Sequence, residues 1–140
     1  MNFLVDTNVV SEWVKPAPNA GLLRWSESVD EDRVFLSVVS LTELRYGVER
    51  MQAGKRRQHL EQWLDNDLPR RFEYRILSID PIVADRCGRI VRRCESIGHP
   101  IEIMDAFLAA TAQVHELTMV TRNVSDFVIL KDVLNPWIEN

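Results

Sequence analysis

Met1-Asn2-Phe3-Leu4-Val5-Asp6-Thr7-Asn8 opens the chain, and the way its short apolar run stops at a carboxylate decides how the rest is read. Phe3-Leu4-Val5 shows no polar alternation, which is the pattern of a strand buried on both faces in a parallel sheet covered by helices. Asp6 then falls at the carboxyl end of that strand. In open α/β sheets ligands bind outside the carboxyl ends of the strands, near the point where strand order reverses. A plainer role is open as well: Asp ahead of Val9-Val10-Ser11-Glu12-Trp13-Val14 is a good helix N-cap. Which role Asp6 plays turns on whether other acids recur at equivalent junctions.

Working outward, Pro16-Ala17-Pro18-Asn19 reads as a loop, since two prolines two apart block both helix and ladder. A second helix follows with Leu22, Leu23, Trp25, Ser26 and Val29 on its apolar face, ended by the acid run Asp30-Glu31-Asp32. Val34-Phe35-Leu36 repeats the buried-strand pattern. Ser37 to Ser40 leads into a helix with the stripe Leu41, Leu44, Val48 and Met51. Gly54-Lys55-Arg56-Arg57 turns into a further helix, with Leu60, Trp63 and Leu64 inward, and Pro69 is expected to close it. Tyr74 to Ile79 reads as a third strand. After Asp80-Pro81 a helix carries Val83, Cys87, Ile90, Cys94 and Ile97 on one stripe, with Arg86, Arg89, Arg92 and Arg93 on the other side as a solvated face. Ile101 to Glu116 is an alanine-rich helix, Leu117 to Val120 a fourth strand, and Thr121 to Phe127 a turn and short helix. Val128-Ile129-Leu130 is a candidate edge strand, and Asn135-Pro136-Trp137 a hydrophobic tail that docks on the body. Strands alternating with helices predict an α/β fold with a mainly parallel sheet of four to five strands.

At 140 residues the chain is sized for one domain, 1–140. No apolar stretch approaches the roughly 20 residues of a membrane helix, and the start lacks the basic region of a signal peptide, so a cytoplasmic protein is expected. Cys87 and Cys94, seven apart in a helix, would lie about 10 Å apart, too far for a disulfide. His59, His99 and His115 do not share zinc-site spacings with them, so any metal must be sought among oxygen ligands. The net charge of −4 argues only weakly against a polyanionic partner. If four acids are gathered in one site, the remaining 17 balance the 17 Lys and Arg, and a bound cation would neutralise the gathered ones.

Four carboxylates fall near strand ends or in first helical turns: Asp6, Glu43, Asp105 and Asp126. Each has a local explanation. Ser40-Leu41-Thr42-Glu43 fits a capping box, Asp105 suits a helix start, and Asn123 to Asp126 repeats the capping spacing. Together they would concentrate negative charge at one sheet edge unless a cation sits among them. All-oxygen ligands suit Mg²⁺ or Mn²⁺, and such ions serve in-line displacement at a phosphodiester. Thr7, Asn8, Thr121 and Asn123 are placed to orient the acids or bond metal waters.

In its ordered motifs the chain resembles a PIN domain, specifically the VapC-type toxin ribonucleases of bacterial toxin–antitoxin modules. The marks are Leu4-Val5-Asp6-Thr7-Asn8, Leu36-Ser37 with Thr42-Glu43-Leu44 and Gly47, Pro100-Ile101 followed by Asp105, and Ala109-Ala110-Thr111-Ala112 leading to Val120-Thr121-Arg122-Asn123 and Asp126-Phe127. Asp6 to Glu12 together with Asn135-Pro136-Trp137 is most similar to the FitB-like branch. The resemblance spans nearly the whole chain. It implies a three-layer α/β/α sandwich and a metal-dependent endoribonuclease with Asp6, Glu43 and Asp105 as core acids and Asp126 as the fourth. It also implies a cognate antitoxin, a homodimer, and contact with DNA only through the antitoxin. Two positions depart from the pattern: Glu102 stands where many relatives have glycine, and Asn123 where some FitB-like relatives carry the fourth acid.

RNA affinity is expected from basic residues, with Lys55, Arg56, Arg57, Arg70, Arg71 and Arg122 as first candidates and Arg86, Arg89 and Arg93 as weaker ones. The antitoxin is expected on apolar surface near Trp13, Leu22 and Trp63. Competing readings are a PIN fold that binds RNA or a partner without cutting, and a Mg-dependent phosphatase-like α/β enzyme. Against the phosphatase, Asn8 stands where a second acid is needed two residues after Asp6.

Overall fold

The apolar runs Phe3-Leu4-Val5, Val34-Phe35-Leu36 and Thr118-Met119-Val120 all form strands, and each strand but the last leads into a helix or helical turn. In the computed structural model, which describes residues 1–138, β1 (Phe3–Val5) passes through Asp6 into α1 (Thr7–Trp13), followed by α2 (Ala20–Ser28). β2 (Val34–Ser37) runs directly into α3 (Val38–Glu49). Next, α4 (Lys55–Gln62) continues through a π-helical stretch, Trp63–Asp67, into α5 (Leu68–Arg71). β3 (Ile76–Leu77) precedes α6 (Pro81–Ser96), and α7 (Ile103–Val114) leads to β4 (Thr118–Val120). A 3₁₀ turn, Val124–Phe127, connects β4 to β5 (Val133–Leu134). No helix among the described residues is long and apolar enough to cross a membrane.

The five strands pair in the order β3-β2-β1-β4-β5, all parallel, with Phe3 opposite both Val34 and Thr118. The chain builds one half of the sheet outward from β1, then returns to β1's other side through α6 and α7. Strand order therefore reverses at β1, and the cleft beyond its carboxyl end is the switch point where such folds bind ligands.

Alternation along the strands separates two cores, one on each face of the sheet. Leu4 and Met119 point toward the α6/α7 face, where Val83, Cys87, Ile90, Cys94 and the alanines of α7 are buried. Small residues bring α7 close: Ala106, Ala109 and Ala110 are all fully buried. Phe3, Val5, Val34, Leu36 and Val120 point the other way, onto Val9, Val10, Leu22, Leu44, Leu64, Leu68 and Phe72. Burial of so many apolar side chains, each worth about 1.5–3 kcal/mol, fixes the register that carries Asp6 and Thr121 to the same sheet edge. Both cysteines are free and buried on α6.

Several local expectations are corrected. The edge strand is Val133–Leu134 and not Val128-Ile129-Leu130, because those residues follow the 3₁₀ turn and Leu130 N–H closes back on Phe127 O at 3.0 Å. The third strand is only Ile76–Leu77; Tyr74 has φ 64°, a turn conformation that ends any extension toward it. Pro69 does not close its helix. It sits in the first turn of α5, after Leu68 N–H has shifted to a π-type bond with Trp63 O, so its missing N–H is tolerated. Ile97 leaves the α6 stripe because the helix ends at Ser96, and it is exposed. The tail docks as expected: Pro136 is buried and Trp137 packs against the second core. Gly21 makes that possible, since a Cβ there would lie 2.4 Å from Pro136 O.

Candidate active site

Asp6 both caps α1 and lines the cleft. Its Oδ1 accepts from Thr7 N at 2.7 Å, while Oδ2 accepts from Thr121 Oγ1 at 2.8 Å across the β1/β4 pair. Asn8 Nδ2 reaches Asp6 Oδ2 at 3.4 Å and Thr121 Oγ1 at 3.2 Å, and Asn8 Oδ1 accepts from Arg122 N at 3.3 Å. Thr121 Oγ1 also accepts from Asn123 N at 3.0 Å. The expected supporting residues Thr7, Asn8, Thr121 and Asn123 therefore do hold the acid or its strand ends, Asn123 through its backbone.

Glu43 arrives differently from the expected capping box. The N-cap of α3 is Ser37, whose Oγ accepts from Val39 N at 3.0 Å, so Ser40 and Glu43 lie inside the helix. Freed from capping, Glu43 Oε1 accepts from Thr7 Oγ1 at 2.7 Å, with Ser40 Oγ 3.0 Å from the same hydroxyl. Asp105 lies in the first turn of α7. Asp126 lies in the 3₁₀ turn after β4, where Asn123 makes no side-chain cap; the turn closes instead through Asp126 N–H to Asn123 O at 3.1 Å.

These four carboxylates, from four segments, line one cleft of about 470 Å³ at the switch point. Burial pushes the Asp6 carboxyl above its ordinary value, against the Thr121 and Thr7 hydrogen bonds, and the charges of Glu43 and Asp126 push the same way. Asp105 is pushed up to about 6, first by burial and then by Asp6, Asp126, Glu43 and Glu102. Glu102 thus adds to the field without lining the cleft. No His or Cys lines it either, so the donor set is hard oxygen, which fits Mg²⁺ or Mn²⁺ in kind. The carboxylates share the cleft, but no group of three or more His, Cys, Asp or Glu among the described residues is already drawn in closely enough to hold one ion.

Of the expected RNA-binding residues, only Arg122 lines the cleft. Lys55, Arg56 and Arg70 are exposed on α4 and α5. Arg57 is spent on Glu49 and Glu61, and Arg71 pairs with Glu31 while its guanidinium lies 4.3 Å from the Trp13 ring centre. Arg86 donates to Gln113, Arg89 pairs with Asp85, and Arg93 is exposed on α6. Of the residues expected near the antitoxin, Leu22 is fully buried in the core, while Trp13, stacked on Phe72 beneath Arg71, and Trp63 are partly buried.

The sequence reading passed over Ser11, Glu12, Lys15 and Trp137, which all line the cleft. Glu12 is buried; its Oε1 accepts from Lys15 Nζ at 2.9 Å and its Oε2 from Asn19 N at 2.9 Å. Its carboxyl is held below the ordinary value, chiefly by the Lys15 hydrogen bond, with Arg122 among the charges that assist. A signal was available. Asn8, Ser11 and Glu12 form a polar stripe on α1 opposite its buried Val9 and Val10, and Lys15, just past the helix end, continues the same spacing.

A parallel sheet reversing at β1, with four acids on the cleft beyond it, defines a site of the PIN type. The PIN domain model matches residues 3–128, and the chain belongs to that family. It is 36% identical over 135 residues to Toxin FitB of Neisseria gonorrhoeae, covering 96% of this chain and 97% of the relative. It is 31% identical over 135 residues to VapC ribonuclease Y4jK of Sinorhizobium fredii, covering 96% of each. Among solved structures it is similar to FitAB bound to an IR36 DNA fragment, with a TM-score of 0.92, 33% identity, and 99% and 97% of the two chains covered.

Proposed function

We propose that this chain is a Mg²⁺- or Mn²⁺-dependent endoribonuclease, the toxin of a type II toxin–antitoxin module, restrained by a small cognate antitoxin. The observation that carries the reading is the convergence of Asp6, Glu43, Asp105 and Asp126 on one cleft at the switch point of the sheet. Support for the chemistry comes from a relative named a VapC ribonuclease, and support for the module from Toxin FitB and from the FitAB complex on DNA. Homodimerisation, a cytoplasmic location and DNA contact only through the antitoxin belong to the same reading.

Asp6, Glu43, Asp105 and Asp126 would hold the metal, which when bound supplies a polarised water and neutralises charge developing on the phosphate. The chain's own residues prepare that site. Thr121 and the Thr7 amide fix both oxygens of Asp6, and the Thr7 hydroxyl fixes Glu43. Asn8 ties the β1 end to Arg122, so acids from opposite sides of the switch point keep a constant separation. The retained acids favour a cutting enzyme over a silent binding module, and the lack of a second acid at Asn8 still disfavours the phosphatase.

The test is cleavage of single-stranded RNA by the purified chain. Cutting is expected with Mg²⁺ or Mn²⁺, is abolished by excess EDTA, and returns when metal is restored. Persistent cutting in EDTA by a clean preparation would overturn the metal mechanism.

A further inference from the structure

Five carboxylates and two cations line the cleft, so an RNA strand entering it meets a wall of its own sign broken at two points, Lys15 and Arg122. Those points are constructed. Glu12, with its side chain 10% exposed, grips Lys15 Nζ while the Lys15 side chain remains 54% exposed. A lysine has three donors, and this hydrogen bond uses one. Glu12 is itself fixed by the Asn19 amide, so it serves as an anchored counter-ion and is not free to swing among the other acids. Arg122 is fixed from its backbone, through Asn8 to its amide and Asn135 Nδ2 to its carbonyl at 3.3 Å. Its guanidinium lies 5.9 Å from the Trp137 ring centre and, among the described residues, forms no ion pair. Asn135 Oδ1 in turn accepts from Trp137 N at 3.0 Å, so one side chain staples the tail to the loop that carries Arg122.

We propose that Lys15 and Arg122 form a paired-cation subsite for a backbone phosphate of the RNA beside the acid cleft, with Glu12 and Trp137 as positioning residues that hold the two cations in place. This rests on the nuclease reading. Two cations on one wall, one a point charge and one a planar fork, suit a phosphate whose neighbours lie in the cleft. Glu12 has a positioning task distinct from that of the four acids, which explains why its partners are Lys15 and a backbone amide.

The test is binding of a fluorescent, uncleavable 2′-O-methyl RNA oligonucleotide across a salt series, with cleavage of unmodified RNA measured separately. Lys15→Ala and Arg122→Ala are each expected to weaken binding about 10-fold at low salt and to lower the slope of log affinity against log salt by about one. Lys15→Arg should restore both. Glu12→Gln keeps an acceptor for the Asn19 amide but not the charge; it should raise KM with little change in kcat or in Mn²⁺ affinity. If Glu12→Gln proves unstable, the Lys15 and Arg122 variants decide the matter alone. Unchanged affinity and salt slope in both alanine variants would overturn the subsite, as would a loss of Mn²⁺ affinity in Glu12→Gln, which would make Glu12 a metal ligand. Salt-dependent binding by a wild type that does not cut RNA would leave the subsite standing and remove the nuclease reading.

Discussion

Thr7 links the end of β1 to α3: its amide binds Asp6 and its hydroxyl binds Glu43. Thr7→Val keeps the shape and the amide but frees Glu43, and the loss of such a supporting group is expected to lower cleavage about 10–100-fold. Stability should change by only about 1 kcal/mol, and the comparison of kcat/KM with melting temperature checks both. Asp105 gives a second test at this scale. Its carboxyl titrates at about 6 in the folded chain against an ordinary 3.8. The native state therefore holds a proton that the unfolded chain has released, and in chelator stability should fall as pH rises through that window. Melting temperatures from about pH 4 to pH 7 should show that fall, and Asp105→Asn should flatten it. Equal slopes in the two proteins would count against the burial of Asp105 among the other acids.

At the level of elements, the tail forms part of the active-site wall because Gly21 leaves room for Pro136. A Cβ at 2.4 Å from a backbone oxygen cannot be relieved by a rotamer change, so Gly21→Ala is expected to cost about 1–3 kcal/mol and to loosen the tail. Faster proteolysis near Trp137 alongside an intact near-UV signal from the rest of the chain would show it, and wild-type protection would refute it. The elements legible in the sequence were those with a one-dimensional signature. Phe3-Leu4-Val5, Val34-Phe35-Leu36 and the Val83-to-Cys94 stripe announce themselves through buried runs or helical spacing, and the acids at their ends follow from them. What was hidden depends on competition between equivalent local signals. Ser37 and Ser40 both precede plausible helix starts, and only burial of Val39 in the core, with Ser37 at the strand end, selects the first. Val133–Leu134 outcompetes the more apolar Val128–Leu130 because it is the pair that reaches β4. Lys15 and Glu12 were missed because a helix read for its apolar face leaves the polar stripe unexamined.

For the whole molecule, an acid cleft open to solvent in a nuclease calls for outside control. Co-expression with a small cognate antitoxin is expected to relieve growth arrest caused by the chain alone and to yield a copurifying complex with reduced cleavage. An Arg side chain from that partner, pairing with the acids around Asp6 and Asp105, would take the place of the metal's charge. Harmless expression of the chain alone, with no complex, would contradict the toxin reading while leaving the fold untouched. Of the residues expected to meet RNA or a partner, Arg57 and Arg71 are engaged in ion pairs and Leu22 is buried in the core. The Arg57–Glu61 pair follows helical i,i+4 spacing and is legible in the sequence, whereas Glu49 and Glu31 come from other segments and only the fold brings them to Arg57 and Arg71.

The central claim is that the four carboxylates lining the cleft are completed by a divalent cation. Direct Mn²⁺ titration by electron paramagnetic resonance, which reads the free aqueous ion, tests it without any substrate. Wild type is expected to remove Mn²⁺ from solution saturably at neutral pH, while Asp6→Asn and Asp105→Asn remain folded and bind it far more weakly. Equal Mn²⁺ uptake by all three proteins, or none by the wild type, would contradict the account.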